Sequence, residues 1–165
     1  MRMEIFEDKA YPACGRSGCG AEKERNTAED MLKSYIAFDL ETTGLSPETN
    51  EIIEIGPLKV QDGKVQERFM EFIMPSEPIS ARITEITGIT NEMVADARSR
   101  EEVIPAFLDF CGNEVLVGHN IIFDYSFMKN QAELLGLSFE KQGIDTLKIA
   151  RRVHKNMESK SLEAL

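Results

Sequence analysis

The sequence predicts an α/β domain built on a mixed β-sheet, and three observations predict it. Extended, β-rich runs dominate residues 34–74, at 34–40, 51–60 and 64–74. The second and third of these are separated by Gln61-Asp62-Gly63, and Asp-Gly between two such runs is a strong hairpin signal. Beyond Pro75 and Pro78 the pattern changes to helix, strand, helix, strand, helix, the order that places helices against the parallel part of a sheet.

Composition sets the outer limits. A length of 165 residues suits one domain of ordinary size, long enough to bury a core without disulfide or metal staples. Hydrophobic residues make up 42% and charged residues 29%. That balance excludes extensive disorder and collagen-like repeats, and no apolar run approaches the ~20 residues of a membrane span. The opening MRMEIFEDKA has no apolar h-region and is not expected to act as a secretory signal. The net charge is −10, from 19 basic and 29 acidic residues. A broad basic surface for nucleic acid is thereby excluded. Any such contact must be local, with bound cations sharing the charge compensation. Three cysteines, an odd and sparse count, fit a reducing, cytoplasmic setting.

Residues 1–33 read as an extension or linker, and residues 34–165 as the domain. Cys14 and Cys19 are spaced like half of a zinc site. The remaining candidates Cys111, His119 and His154 are distant and unpatterned, so the pair reads as two thiols in a flexible arm. The run 34–40 is a short strand entering a turn at Thr42-Thr43-Gly44. Pro75 and Pro78 close the third β-rich run, and short helices are expected near 81–86 and 91–97. Residues 101–110 have helical spacing, with Val103, Ile104, Phe107, Leu108 and Cys111 on one side. Residues 114–117 form a short buried strand. Asn120 is placed to cap a helix that runs to Leu135, and Gly136 to end it. A strand near 142–144 leads to Asp145 and a last helix reaching about Lys155. Lys148, Arg151, Arg152 and Lys155 share one face of that helix, read as a solvated stripe that complements the helix dipole.

Chemistry begins where carboxylates replace hydrophobes. In Phe38-Asp39-Leu40-Glu41 the side chains alternate, so Asp39 and Glu41 point one way and Leu40 the other. Two carboxylates side by side at a strand end repel, which raises the pKa of at least one unless a partner intervenes. A hard divalent cation removes the penalty, and an all-oxygen site suits magnesium or manganese. On the helix after Asn120, residues Ile121, Phe123, Phe127, Met128, Ala132, Leu134 and Leu135 spread over one arc, and Asp124 falls near its middle. An uncompensated carboxylate there would cost several kcal/mol. It must meet a cation, a cluster of donors or an opening. A metal shared with Asp39 and Glu41 would satisfy all three.

These residues resemble a known family. Phe38-Asp-Leu-Glu-Thr-Thr-Gly-Leu45 resembles the first motif of the DnaQ-like, or DEDD, 3′–5′ exonucleases, and Val117-Gly-His-Asn-Ile-Ile-Phe-Asp-Tyr-Ser-Phe-Met128 resembles the second. Ile83-Thr-Glu-Ile-Thr-Gly-Ile-Thr90 and Asp145-Thr-Leu-Lys-Ile-Ala-Arg151 are similar to the connecting segments. The similarity covers residues 34–165, in order, and points to proofreading subunits and domains of bacterial DNA polymerase III, of the epsilon type. It implies a ribonuclease H-like fold, a mixed five-stranded sheet with flanking helices.

The resemblance also implies hydrolysis of the terminal phosphodiester of a DNA or RNA 3′ end by a two-metal mechanism with Mg2+ or Mn2+. Asp39 would bridge both ions, Glu41 would bind one and help place the water, and Asp124 would support the second. Thr42, Thr43, Gly44 and Leu45 would line the pocket of the terminal nucleotide, with Leu45 pressing on the last base. His119, Asn120 and Phe123 would contact sugar and base, although Asn120 also fits a plain helix cap and Phe123 a core position. The implied partners are a single-stranded 3′ end and DNA polymerase subunits, with no membrane. The family's third motif, a general-base His followed by a fourth metal-binding Asp, has no match within the 165 residues. Its loss is expected to leave these residues alone with weak or no activity, since a general base contributes about 10²–10⁴-fold. His154 reads as a solvated or packed residue near a helix end rather than a replacement. The alternative reading is a catalytically incomplete nucleic-acid-binding or polymerase-associated module, and exposed apolar surface near the C-terminal end would favour self-association.

Overall fold

The structure, a computed structural model, describes Ile5–Phe6 and residues 33–165. Cys14 and Cys19 lie outside the described residues, as does most of the stretch read as an extension. Among the described residues nine strands appear: β1 (Ile5–Phe6), β2 (Ser34–Ala37), β3 (Leu40–Thr42), β4 (Ile52–Ile55), β5 (Leu58–Gln61), β6 (Lys64–Arg68), β7 (Glu71–Phe72), β8 (Leu116–Gly118) and β9 (Gly143–Asp145). The helices numbered among the same residues are α1 (Ala81–Thr87), α2 (Asn91–Val94), α3 (Arg100–Cys111), α4 (Ile122–Leu134) and α5 (Thr146–Val153), followed by a 3-10 turn at Leu162–Ala164.

One six-stranded sheet has the order β1-β9-β8-β2-β5-β6, and a three-stranded sheet has the order β3-β4-β7. The two sheets share their chain runs. Residues 34–42, 52–61 and 64–72 are each one extended run with a break in the middle. Together with β8 and β9 they form the expected mixed sheet of five runs, and β1 adds an antiparallel edge against β9. Pairing continues through the breaks, with Gly56 N–H donating to the Asp39 carbonyl (3.2 Å) and Phe69 N–H to the Pro57 carbonyl (3.0 Å). The expectation of a single strand over 34–40 is corrected here. Pro57 stands opposite the break and has no N–H to offer the ladder, so regular pairing lapses at Phe38-Asp39 and resumes at Leu40.

The parallel part of the sheet comprises β2, β8 and β9. β2–β5 and β5–β6 are antiparallel, and the β5–β6 hairpin turns on Asp62 and Gly63, both at positive φ (48° and 72°), as a type I′ turn requires. Both faces of the sheet are covered. Ile52 belongs to the main core with Ile36, Phe107, Leu116, Phe127 and Met128, whereas its neighbour Ile53 packs with Ile79, Ile89 and Val94 from the α1–α2 side. Phe107 is the hub of the main core, its ring 5.3 Å from Phe38, 6.0 Å from Phe69 and 6.2 Å from Phe139. On α3 the predicted face is buried at Val103, Ile104, Phe107 and Cys111. Ser99 and Glu102 form a capping box at its start.

Helix α4 departs from expectation at both ends. Ile121, not Asn120, is the N-cap, without a side-chain bond, and Asn120 sits one residue earlier at φ 61°. At the other end Gly136 does terminate the helix at φ 69°, with Leu137 N–H donating to Ala132 O and Gly136 N–H to Glu133 O, the paired bonds of a Schellman motif. Leu134, assigned to the apolar arc, is exposed, and Gln131 is buried instead. Lys148, Arg151, Arg152 and Lys155 all lie on the exposed side of the last helix and its end, and His154 is exposed at the C-cap of α5. No described helix is long and apolar enough to cross a membrane.

Candidate active site

The three parallel strands end on the same side of the sheet, and every predicted site residue follows one of those ends or lies on β3 or in the loop after it. This is where ligands sit in open α/β sheets. Asp39 follows β2 by two residues. His119, Asn120 and Phe123 follow β8. Phe38 N–H extends the parallel ladder by bonding Val117 O at 2.9 Å, which draws the chain after β8 against the chain after β2. The approach is close. A Cβ on Gly118 would stand 2.8 Å from the Phe38 carbonyl oxygen and 3.0 Å from the Ile121 side chain, so only glycine fits there.

Asp124 is brought into the first motif by a hydrogen bond across 84 residues. Its Oδ1 accepts from the Leu40 backbone N–H at 3.1 Å. Leu40 lies between Asp39 and Glu41, so the bond fixes Asp124 beside both acids. Asp124 is 5% exposed, as its place on the apolar arc predicts. Leu40 is buried, Asp39 exposed and Glu41 half-buried, matching the alternation read from the strand.

The acids disturb one another in a consistent way. Burial pushes the Asp124 carboxyl up to about 7, and the negative charges of Asp39 and, less strongly, Glu41 add to that, against the lowering by backbone N–H groups of Asp124 and Leu40. Asp39 is raised by partial burial of its carboxyl, although the residue as a whole meets solvent, and the Leu40 N–H offsets part of the rise. Glu41 is raised by burial, then by Asp39, then by Glu54. Glu54 is raised by burial and by Asp39. Among the described residues, no group of three or more His, Cys, Asp or Glu side chains is gathered tightly enough to hold a metal ion as it stands. The donor chemistry nevertheless suits a hard divalent cation: carboxylates only, one of them buried, with Asp39 raising both Glu41 and Asp124.

Glu54 was not among the expected site residues. It stands directly opposite Glu41 across the β3–β4 pair, where like charges oppose each other unfavourably. The signal was present as one acid inside Ile52-Ile53-Glu54-Ile55, but its meaning depends on a register that the sequence does not state.

The first-motif loop is braced at every turn. Thr42 Oγ1 donates to Gly44 O (2.7 Å), and Thr43 N–H and Glu51 O close the loop at 2.9 Å. Thr43 Oγ1 accepts from Glu51 N–H (2.9 Å), and Asn50 Oδ1 accepts from Ser46 N–H (3.1 Å). Asn50 fills the space beneath Gly44, where a Cβ would lie 2.5–2.7 Å from its side-chain atoms. The result presents Leu45 at 85% exposure, an apolar side chain held out by a stiff loop. Phe123 is half-buried, its ring 5.0 Å from that of Phe127, so it belongs to the core edge. His119 and Asn120 are tied to the end of β9, His119 through Thr146 and Asn120 through Asp145.

Comparison with known proteins identifies the family and the fold. The exonuclease family model RNase_T matches residues 36–165. The chain is 45% identical over 131 residues to the PolC-type DNA polymerase III of Caldanaerobacter subterraneus subsp. tengcongensis, covering 79% of this chain and 9% of that protein. It is 46% identical over 133 residues to the PolC-type enzyme of Thermotoga petrophila, covering 80% and 10%. It thus spans about a tenth of the curated relatives it matches. Among solved structures, exonuclease X in complex with 5′ overhanging duplex DNA aligns with a TM-score of 0.63 and 33% identity, covering 79% of this chain and 70% of that one. The metal-free E. coli ExoI–ssDNA complex aligns at 0.67 with 14% identity, over 74% and 30%, a likeness of fold. Matched by the exonuclease family model over residues 36–165, this chain belongs to the exonuclease family.

Proposed function

We propose that this domain removes nucleotides from the 3′ end of a DNA strand, as a metal-dependent 3′–5′ exonuclease of the proofreading type. The observation that carries the reading is the bond from Leu40 N–H to buried Asp124. It commits a carboxylate to the first motif in a position that is unfavourable without a cation. Asp39, Glu41 and Asp124 would hold divalent ions, Mg2+ or Mn2+. When bound, such ions orient an attacking water and stabilise the leaving 3′ oxygen. The braced loop at Thr42, Thr43, Gly44 and Leu45 would receive the terminal nucleotide, its rigidity reducing the ordering cost of binding. His119, Asn120 and Phe123 would meet the sugar and base from the other side. The PolC-type relatives support a cytoplasmic role beside a replicative polymerase, and the DNA in the exonuclease X structure supports the substrate class.

A second reading, a module that holds the 3′ end without cutting it, is favoured by one observation. The acids are not gathered to metal-binding distances among the described residues.

The test is release of mononucleotides from a 3′-labelled single strand with Mn2+, alongside titration of dTMP with Mn2+ present. The proposal expects dTMP binding and slow mononucleotide release, weak for want of the third motif's general base, both abolished by EDTA or Asp39→Ala. Binding without release selects the second reading. Activity that survives Asp39→Ala and Asp124→Ala together rejects both.

A further inference from the structure

The turn after β8 is held from the side by two consecutive residues, Asp145 at the end of β9 and Thr146 at the start of α5. Asp145 is 5% exposed. Its Oδ1 accepts from three backbone N–H groups: Leu147 at 2.9 Å, Lys148 at 3.4 Å and Asn120 at 3.0 Å. The first two bonds cap α5 in the ordinary way. The third is not needed by the helix. It reaches back 25 residues to Asn120, whose φ of 61° lies in the left-handed region that asparagine adopts more readily than most residues other than glycine.

Thr146 adds a second tie. Its Oγ1 lies 3.1 Å from Gly118 O and 3.1 Å from His119 Nδ1. A hydroxyl has one proton, and a carbonyl oxygen only accepts. The proton therefore goes to Gly118 O, and Oγ1 accepts from the histidine. Nδ1 carries the hydrogen, and in the neutral ring Nε2 keeps its lone pair.

We propose that Asp145 and Thr146 are positioning residues for the 118–120 turn. Asp145 clamps its backbone, and Thr146 selects the Nδ1–H tautomer of His119, so that Nε2 accepts from a hydroxyl or N–H group of a bound nucleotide. A neutral lone pair repels a phosphate oxygen and receives a sugar hydroxyl or a base N–H, so this nitrogen reads the nucleoside and not the phosphate. The binding half rests on the proposed function, namely that His119 faces the bound 3′ end. The tautomer does not.

The experiment uses the full chain, which has only two histidines, so a 15N NMR spectrum of imidazole nitrogens is simple to assign with His119→Gln. Wild type is expected to show His119 protonated at Nδ1. Thr146→Ser keeps that state, and Thr146→Val loses it. Titration with dTMP and Mn2+ is expected to show a roughly three- to tenfold loss of affinity for Thr146→Val, the size of one hydrogen bond, with rescue by Thr146→Ser. Asp145→Asn, which keeps one acceptor oxygen, should preserve the tautomer. An Nε2–H ring in wild type overturns the proposal. So does unchanged dTMP affinity in both Thr146→Val and His119→Gln. Absence of dTMP binding by wild type, with the tautomer as expected, overturns the proposed function and with it the binding half.

Discussion

Replacing Asp124 by asparagine should stabilise the metal-free protein, and the gain should grow with pH. The asparagine Oδ1 can still accept from Leu40 N–H, so the variant removes the charge and keeps the bond. The wild-type carboxyl is pushed from its ordinary 3.8 up to about 7, first by burial and then by Asp39. At about 1.36 kcal/mol per pH unit, that rise is on the order of 4 kcal/mol. Below the ordinary value both folded and unfolded chains are protonated, and no penalty exists. Between there and about 7 the unfolded chain has released its proton while the folded one holds it, so stability falls as pH rises. Above the folded value the penalty is complete. Roughly 2 to 3 kcal/mol of it falls between about pH 5 and about pH 8. Urea melts of both proteins in EDTA across that range measure it as the difference between variant and wild type, which cancels the carboxylates remote from the cluster. Adding Mn2+ near pH 8 should restore wild type, by about 2.7 kcal/mol at a hundredfold excess over Kd, and leave the variant unmoved. Parallel pH profiles for the two proteins, or a variant less stable than wild type near pH 8 in EDTA, would refute the view that Asp124 is an unfavourable charge awaiting a cation.

Glu54→Gln removes one of the charges that raise Glu41, so the Glu41 titration followed by carboxyl NMR should move down. No movement would deny the cross-strand coupling. Gly44→Ala should be modestly destabilising, because its Cβ would lie 2.5–2.7 Å from Asn50 side-chain atoms and push Asn50 away from Ser46 N–H. Adding Asn50→Ala should recover part of the loss, with a coupling of about 0.5–3 kcal/mol in a double-mutant cycle, and strict additivity would show that the two do not share that space. Phe107→Ala empties the hub of the main core, where the side chain is fully buried, and should cost about 3–5 kcal/mol in urea denaturation.

The parts of the site that were legible in the sequence are those where a residue type contradicts its surroundings. Asp124 on an apolar arc and Asp39 with Glu41 at a strand end are anomalies that local periodicity alone exposes. The α3 core face and the Asp62-Gly63 hairpin were readable for the same reason, since each depends on neighbours a few positions away. What escaped depends on register. Glu54 is an ordinary half-buried acid until β4 pairs with β3 and sets it against Glu41. The break at Phe38-Asp39 comes from Pro57, which lies between β4 and β5 in another extended run. Asn120 looked like a helix cap, and its actual conformation follows from Asp145, which is 25 positions later and is drawn in only by the parallel pairing of β8 with β9.

These long-range ties explain how the fold keeps an unfavourable cluster in place. Carboxylates that repel would drift apart if each were carried by a flexible segment. Here Asp39 follows β2 at a point where backbone pairing persists on both sides, through Phe38 N–H to Val117 O and Gly56 N–H to Asp39 O. Asp124 is anchored through Leu40 on one side and lies in the first turn of α4, a helix whose Phe127, Met128 and Ala132 are fully buried. The repulsion is therefore borne by the whole core and not by the loops, which is the condition for a site that is electrostatically poised before its cation arrives. The same logic places the nucleotide-facing loop on the rigid side. Thr43, Asn50 and Glu51 close it with bonds that need no ligand, so Leu45 stands exposed by construction of the backbone and not by chance of a side-chain rotamer. A domain organised in this way spends its stability where binding requires it, and the pH profile of Asp124→Asn reads that expenditure directly.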